Sequence, residues 1–125
     1  MQALIRPRLW FGIAYAMLGV VAFLSLMPDP PGAGVSDKLL HFTAYAGLSA
    51  GFSTLVRFHR QLLWVVVGLI AYGILIEFLQ GLTGYRFMEA LDVVANSAGV
   101  MTGLLVRLTP LPRWFRRLES RLFTV

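Results

Sequence analysis

Apolar residues run along this chain in four long blocks, and the polar residues gather between them. Residues 9–27 form 19 positions without a charge, and residues 39–56 form 18 between Lys38 and Arg57, with one histidine inside. Residues 62–80 form 19, interrupted only by Glu77 near the end. Residues 88–106 form 19 more, with Glu89, Asp92 and Asn96 crowded at the start. A helix rising about 1.5 Å per residue needs about 20 apolar residues to cross a bilayer. The pattern therefore predicts four transmembrane helices, the fourth with its first turn in the headgroup zone. The first block is longer than the roughly 7–15 apolar residues of a signal-peptide core, and no A-x-A site follows it, so it reads as a span.

The breaks between blocks have their own chemistry. Pro28, Pro30, Pro31, Gly32 and Gly34 cannot continue a helix. Ser36 stands where an N-cap belongs, and Asp37 follows in the first turn, where the helix dipole favours an anion. Residues 57–61 form a tight hinge, Gly81 and Gly84 offer a stop for the third helix, and Pro110 and Pro112 end the fourth. Beyond Pro112, Trp114, Phe115, Leu118 and Leu122 share one helical face, while Arg113, Arg116, Arg117 and Arg121 supply much of the rest. This segment reads either as a short helix in the membrane interface, drawn to anionic lipid, or as a basic tail that fixes topology. The expected fold is an all-α membrane protein: a four-transmembrane-helix bundle over residues 1–109 with a short amphipathic interfacial helix in a basic tail over residues 110–125.

Composition and charge sharpen this picture. Hydrophobic residues make up 58% of the 125 positions and charged ones 14%, against about 45–50% and about 25% in soluble domains. Without cysteine, disulfides, thiolate metal sites and cysteine nucleophiles are excluded. The net charge of +5 would fit a nucleic-acid partner if it formed one patch, but it is split by the apolar blocks. Nine of the eleven lysines and arginines fall at alternate block ends, namely Arg6, Arg8, Arg57, Arg60, Arg107, Arg113, Arg116, Arg117 and Arg121. Lys38 and Arg86 fall at the other ends, with Asp29, Asp37, Glu77, Glu89 and Asp92, and only Glu119 joins the basic side. The positive-inside rule then predicts an inner-membrane protein with both termini cytoplasmic. Membrane lipid is the expected partner and nucleic acid is not.

The acidic ends hold the candidate site. Asp37, His41 and Tyr45 are spaced i, i+4, i+8 on one face of the second helix, beside Lys38. Glu77 and Gln80 end the third helix; Arg86, Asp92 and Asn96 enter the fourth, whose stripe continues through Gly99 and Gly103. Ionisable groups at membrane depth turn inward and pair, so the topology predicts one polar cluster at one membrane face. Gly47 and Gly51, like Gly99 and Gly103, form G-x-x-x-G pairs expected to pack helix two against helix four rather than to dimerise the chain. Tyr72, Trp64 and Trp10 are expected to pack or to anchor the interface.

The same residues carry a family likeness. D-K-x-x-H-F-x-x-Y (Asp37, Lys38, His41, Phe42, Tyr45), E-x-x-Q (Glu77, Gln80), Arg86 and D-x-x-x-N-x-x-G-x-x-x-G (Asp92, Asn96, Gly99, Gly103) make the chain similar to the VanZ-like family. Ser25 and Pro28 fit the end of that family's first helix. Members often have a proline shortly before the arginine, where this chain has Thr83, Gly84 and Tyr85. The resemblance implies a small multi-pass membrane protein of the cell envelope; the founding member is linked to low-level teicoplanin resistance. It implies no particular reaction.

Three readings of the cluster follow. It is a structural lock in a small accessory or interaction protein; or a pocket in which Lys38, Arg86 and His41 face a lipid headgroup, a cell-wall precursor or a glycopeptide-related ligand; or an enzyme site acting on a lipid-linked envelope intermediate. A single histidine with scattered acids is a weak metal pattern, and no Ser-His-Asp set, Gly-rich phosphate loop or HExxH occurs. No metal or cofactor is therefore expected. The topology is open to direct test. Single cysteines replacing Ala33 or Thr83 should label with an impermeant reagent in intact cells and one replacing Gln61 should not; the reverse pattern would overturn the orientation.

Overall fold

A computed structural model describes residues 1–28 and 36–124; most of the proline–glycine linker and Asp29 lie outside the described residues. Five α-helices follow in order: α1 (Pro7–Leu26), α2 (Asp37–Leu55), α3 (His59–Leu82), α4 (Ala90–Gly103) and α5 (Leu111–Phe123). A 3₁₀ segment, Leu104–Leu108, extends α4. The described residues contain no strand.

Local chemistry sets the ends. α1 opens with proline at its first position, where no amide donor is needed, and closes where Met27 turns extended ahead of Pro28. Ser36 does stand at the α2 N-cap, but its hydroxyl makes no capping bond, so the expected side-chain cap is absent. At α3 the Gln61 side chain accepts the amides of Arg57 and Phe58, each at 2.8 Å. α3 continues through Gly81, whose missing side chain admits Met88, and the chain reverses at Gly84 with φ +79°.

Among the described residues, three helical stretches are long and apolar enough to cross a membrane: Pro7–Leu26, His59–Leu82 and Ala90–Leu108. α2 does not join them, which corrects the expectation of four such spans. The reason is its packing. α2 contacts α1, α3 and α4, and His41, Ser49 and Ser53 are buried there. A helix wrapped by its neighbours has less need of an apolar surface than one bathed in lipid. The core lies along its buried side, where Tyr45, Leu48 and Phe52 meet Leu69 and Val100.

The α2–α4 contact is the most extensive in the chain. A Cβ on Gly99 would strike the Phe42 carbonyl, and one on Gly103 would strike the Ala46 carbonyl and come within 2.6 Å of Ser49 Cβ. Ser49 Oγ donates to the Val100 carbonyl at 2.6 Å across the same seam. Gly47 and Gly51 behave differently: a Cβ there meets nothing within 4 Å. The second glycine pair therefore packs the two helices together, whereas the first, expected to share that role, faces a groove.

Opposite outcomes should follow at the two pairs. Gly103→Val should lower stability by at least about 1–3 kcal/mol through overpacking. Gly47→Ala should raise it by about 0.5–1 kcal/mol, as expected for replacing an uncrowded mid-helix glycine. Melting temperatures in detergent measure both, and equal effects would refute the assignment.

Candidate functional site

At the N-terminal end of α2, three helices bring their polar residues together. α2 supplies Asp37, Lys38 and His41, α3 supplies Glu77, and α4 supplies Asp92 and Asn96. The i, i+4 spacing puts Asp37 and His41 on one face, and the Gly99 approach draws α4 close enough to complete the set. His41 Nδ1 lies 2.8 Å from Asn96 Oδ1. That oxygen has no proton to give, so Nδ1 donates and the neutral ring keeps its lone pair on Nε2. Nε2 faces Asp37 Oδ2 at 3.5 Å and Asp92 Oδ2 at 3.6 Å.

Lys38 bridges Glu89 Oε2 and Asp92 Oδ1. The bridge uses two of the three ammonium donors and leaves the side chain 37% exposed. Glu77 is fully buried; Oε2 accepts the Glu89 amide at 3.2 Å. Its Oε1 makes no hydrogen bond and sits 3.8 Å from His41 Nδ1. Tyr45 is also buried, with its hydroxyl unpartnered. Gln80 is directed elsewhere: its amide donates to the Ser25 carbonyl at 2.7 Å, tying α3 to α1. Tyr85 and Arg86 likewise donate to the carbonyls of Leu26 and Met27, at 2.6 Å and 3.5 Å.

These arrangements leave a cavity of about 160 Å³, bordered by Asp37, His41, Tyr45 and Arg86 with the ends of α1 and α2. Val21, Leu24 and Ala44 line it, and the same three residues line a second, apolar groove of about 600 Å³ between α1 and α2. Gly47 and Gly51 form part of the groove wall, and Trp10, Leu111 and Phe115 close its far end. The small cavity and the long apolar groove thus share one wall.

The far end carries a polar knot that sequence reasoning missed. Glu119 accepts the Ile5 amide at 2.9 Å, the Arg6 amide at 2.7 Å and Trp10 Nε1 at 3.1 Å. Arg116, buried, donates to the carbonyls of Thr54, Leu55 and Val56, which end α2, and to that of Gln2. Arg107 adds bonds to the carbonyls of Ser53, Val56 and Arg57. Burial, then the neighbouring Arg107 charge, lowers the Arg116 pKa from its ordinary value. The clue was Glu119 itself, the lone acid on a side carrying nine bases. Of the apolar residues of α5, Leu111, Trp114, Leu118 and Leu122 are exposed, whereas Phe115 turns inward. Trp10 packs edge-on against Phe115 at 4.9 Å, Tyr72 donates to the Leu18 carbonyl at 2.5 Å, and Trp64 is exposed.

A profile of the VanZ/LLP1 family matches residues 7–110. No curated protein and no solved structure matches the chain.

The His41–Asn96 bond should be separable from the charges around it. Asn96→Ala leaves the His41 donor without its buried partner, at a cost of about 1–3 kcal/mol. Chemical denaturation in detergent measures the loss, and no change would show that the bond is not a support of the site.

Proposed function

Because the chain belongs to the VanZ/LLP1 family, we propose that this membrane protein holds an envelope lipid by its anionic headgroup and one acyl chain. The observation that carries this reading is the shared wall, Val21, Leu24 and Ala44, between the polar cavity and the apolar groove. An amphiphile needs both compartments and needs them joined. Arg86 supplies the cation at the cavity, since Lys38 is committed to Glu89 and Asp92. The groove follows α1 from Leu24 to Trp10, which at about 1.5 Å per residue is roughly 21 Å. That length exceeds one leaflet of a hydrocarbon core about 30 Å thick.

In this reading α2 crosses the inner membrane with α1, α3 and α4, as a fourth span shielded by the other three. The charge bias then puts both termini in the cytoplasm and the cavity at the outer leaflet. α5 lies in the cytoplasmic interface, where Trp114 and Leu122 reach lipid and Arg113, Arg117 and Arg121 reach anionic headgroups. The ligand is a phospholipid or a lipid-linked cell-wall precursor, and lipoglycopeptide sensitivity is the cellular phenotype.

The Lys38–Asp92 and Lys38–Glu89 pairs favour a second reading, in which the cluster is only a structural lock. Two substitutions separate them. Arg86→Ala removes the cavity cation, and Gly51→Leu fills the groove without touching the cluster. Each should lower the anionic phospholipid retained through detergent exchange by about tenfold or more, the value of one charge-assisted bond. Melting temperature and membrane level should stay near those of the unaltered protein, while teicoplanin sensitivity of a susceptible host shifts. If lipid retention and phenotype fall only in step with stability, the cluster is a lock and the lipid reading fails.

A further inference from the structure

Three acceptor atoms converge beside the small cavity that Asp37 and His41 line. They are His41 Nε2, Asp37 Oδ2 and Asp92 Oδ2, with Nε2 at 3.5 Å and 3.6 Å from the two oxygens. Donor atoms from the three residues lie within 4.8 Å of one another. With Nδ1 turned to Asn96, Nε2 is the ring atom that faces the two carboxylates.

Charge states the same need. Among the described residues, the carboxyl groups of Asp37, Glu77, Glu89 and Asp92 outnumber the cations of Lys38 and Arg86 around this end by two. Glu77 stands on the Nδ1 side of the ring, where its buried Oε1 makes no hydrogen bond and lies 3.8 Å from that nitrogen. A buried carboxylate oxygen without a donor is costly unless a cation offsets it. A proton on His41 would supply one charge; a divalent cation supplies both.

We propose that His41, Asp37 and Asp92 bind one divalent transition-metal cation, of which Zn²⁺ is the best fit. Zinc binds nitrogen and oxygen at about 2.0–2.2 Å in a tetrahedron, which sets neighbouring donors roughly 3.4 Å apart. The two His41 separations already match. Asp37 is about half exposed, at 53%, and its side chain turns in to close the third side. Metal-bound histidine typically donates its other ring N–H to an oxygen that fixes the ring, and Asn96 Oδ1 is in that place. Lys38 holds Asp92 Oδ1 in the same way and leaves Oδ2 for the cation. Three protein donors leave a fourth position, and it opens on the cavity bordered by Arg86. An anionic oxygen, from a phosphate headgroup or from free phosphate, completes the coordination there.

This inference deepens the lipid reading only in that fourth ligand; the cation is tested without any lipid. The full chain, purified in detergent and stripped with a chelator, is titrated with Zn²⁺ alone by calorimetry. Metal content after desalting gives the stoichiometry. One Zn²⁺ per chain is expected. Asp37→Asn and His41→Gln should each weaken binding at least about tenfold, and His59→Gln, at the only other histidine, should leave it unchanged. If His41→Gln does not fold, Asp37→Asn decides alone, since that side chain is exposed. No stoichiometric uptake overturns the proposal, as does uptake that survives Asp37→Asn or is lost with His59→Gln. Failure of Zn²⁺ binding with lipid retention intact would leave the lipid reading standing; the converse would leave the cation. Adding inorganic phosphate or anionic-phospholipid vesicles to the Zn²⁺-loaded protein then separates the two sources of the fourth ligand.

Discussion

The close approach of α4 to α2 is the constraint on which the rest depends. Helices in lipid gain little from hiding apolar surface from each other, so association rests on packing and on the few polar bonds made across the seam. Gly99 and Gly103 let the α4 backbone lie directly on Phe42, Ala46 and Ala50. Only at that distance does Ser49 reach the Val100 carbonyl and His41 reach Asn96. A methyl group at either glycine would push α4 away and open the polar end. The site is therefore a product of two missing side chains a full turn below it.

The same kind of residue does the opposite work on the other side of α2. Gly47 and Gly51 meet nothing where a Cβ would stand, and α1 remains apart from α2 along a groove. One helix thus presents a sealed seam and an open channel on its two sides. From sequence, the two glycine pairs look alike: both have the G-x-x-x-G spacing, and nothing local tells a contact from a gap. That difference is a property of the neighbour, not of the motif.

Other features were legible for local reasons. Pro28 follows the end of α1 and Gly84 marks a chain reversal, because ring closure and positive φ act within a residue or two. The long apolar blocks mark α1, α3 and α4, because hydropathy is additive along a helix. α2 was harder. Its serines and charged first turn lower its hydropathy below that of a free-standing span, and only the surrounding helices account for them. Topology alone predicts Asp37, His41 and Asp92 at one membrane face, but not how closely they meet. The first two are one turn apart, but the third arrives from more than fifty residues away, at a distance set by the glycine seam. For α5 the sequence offered an interfacial helix or a topology-fixing tail, and neither anticipated that Arg116 is buried and caps α2.

The clasp at the far end bears on how the chain is made. Glu119 binds the backbone amides of Ile5 and Arg6, at sequence separations of 114 and 113. A ribosome produces those amides first and their acceptor only after every apolar helix has emerged. Until then the amides before α1 and the last carbonyls of α2 lack the charged groups that later hold them. The latch therefore closes only after α1–α4 have been made. A chain cut before Glu119 would keep those helices yet leave this end frayed, the kind of signal by which a membrane protease tells intact products from damaged ones.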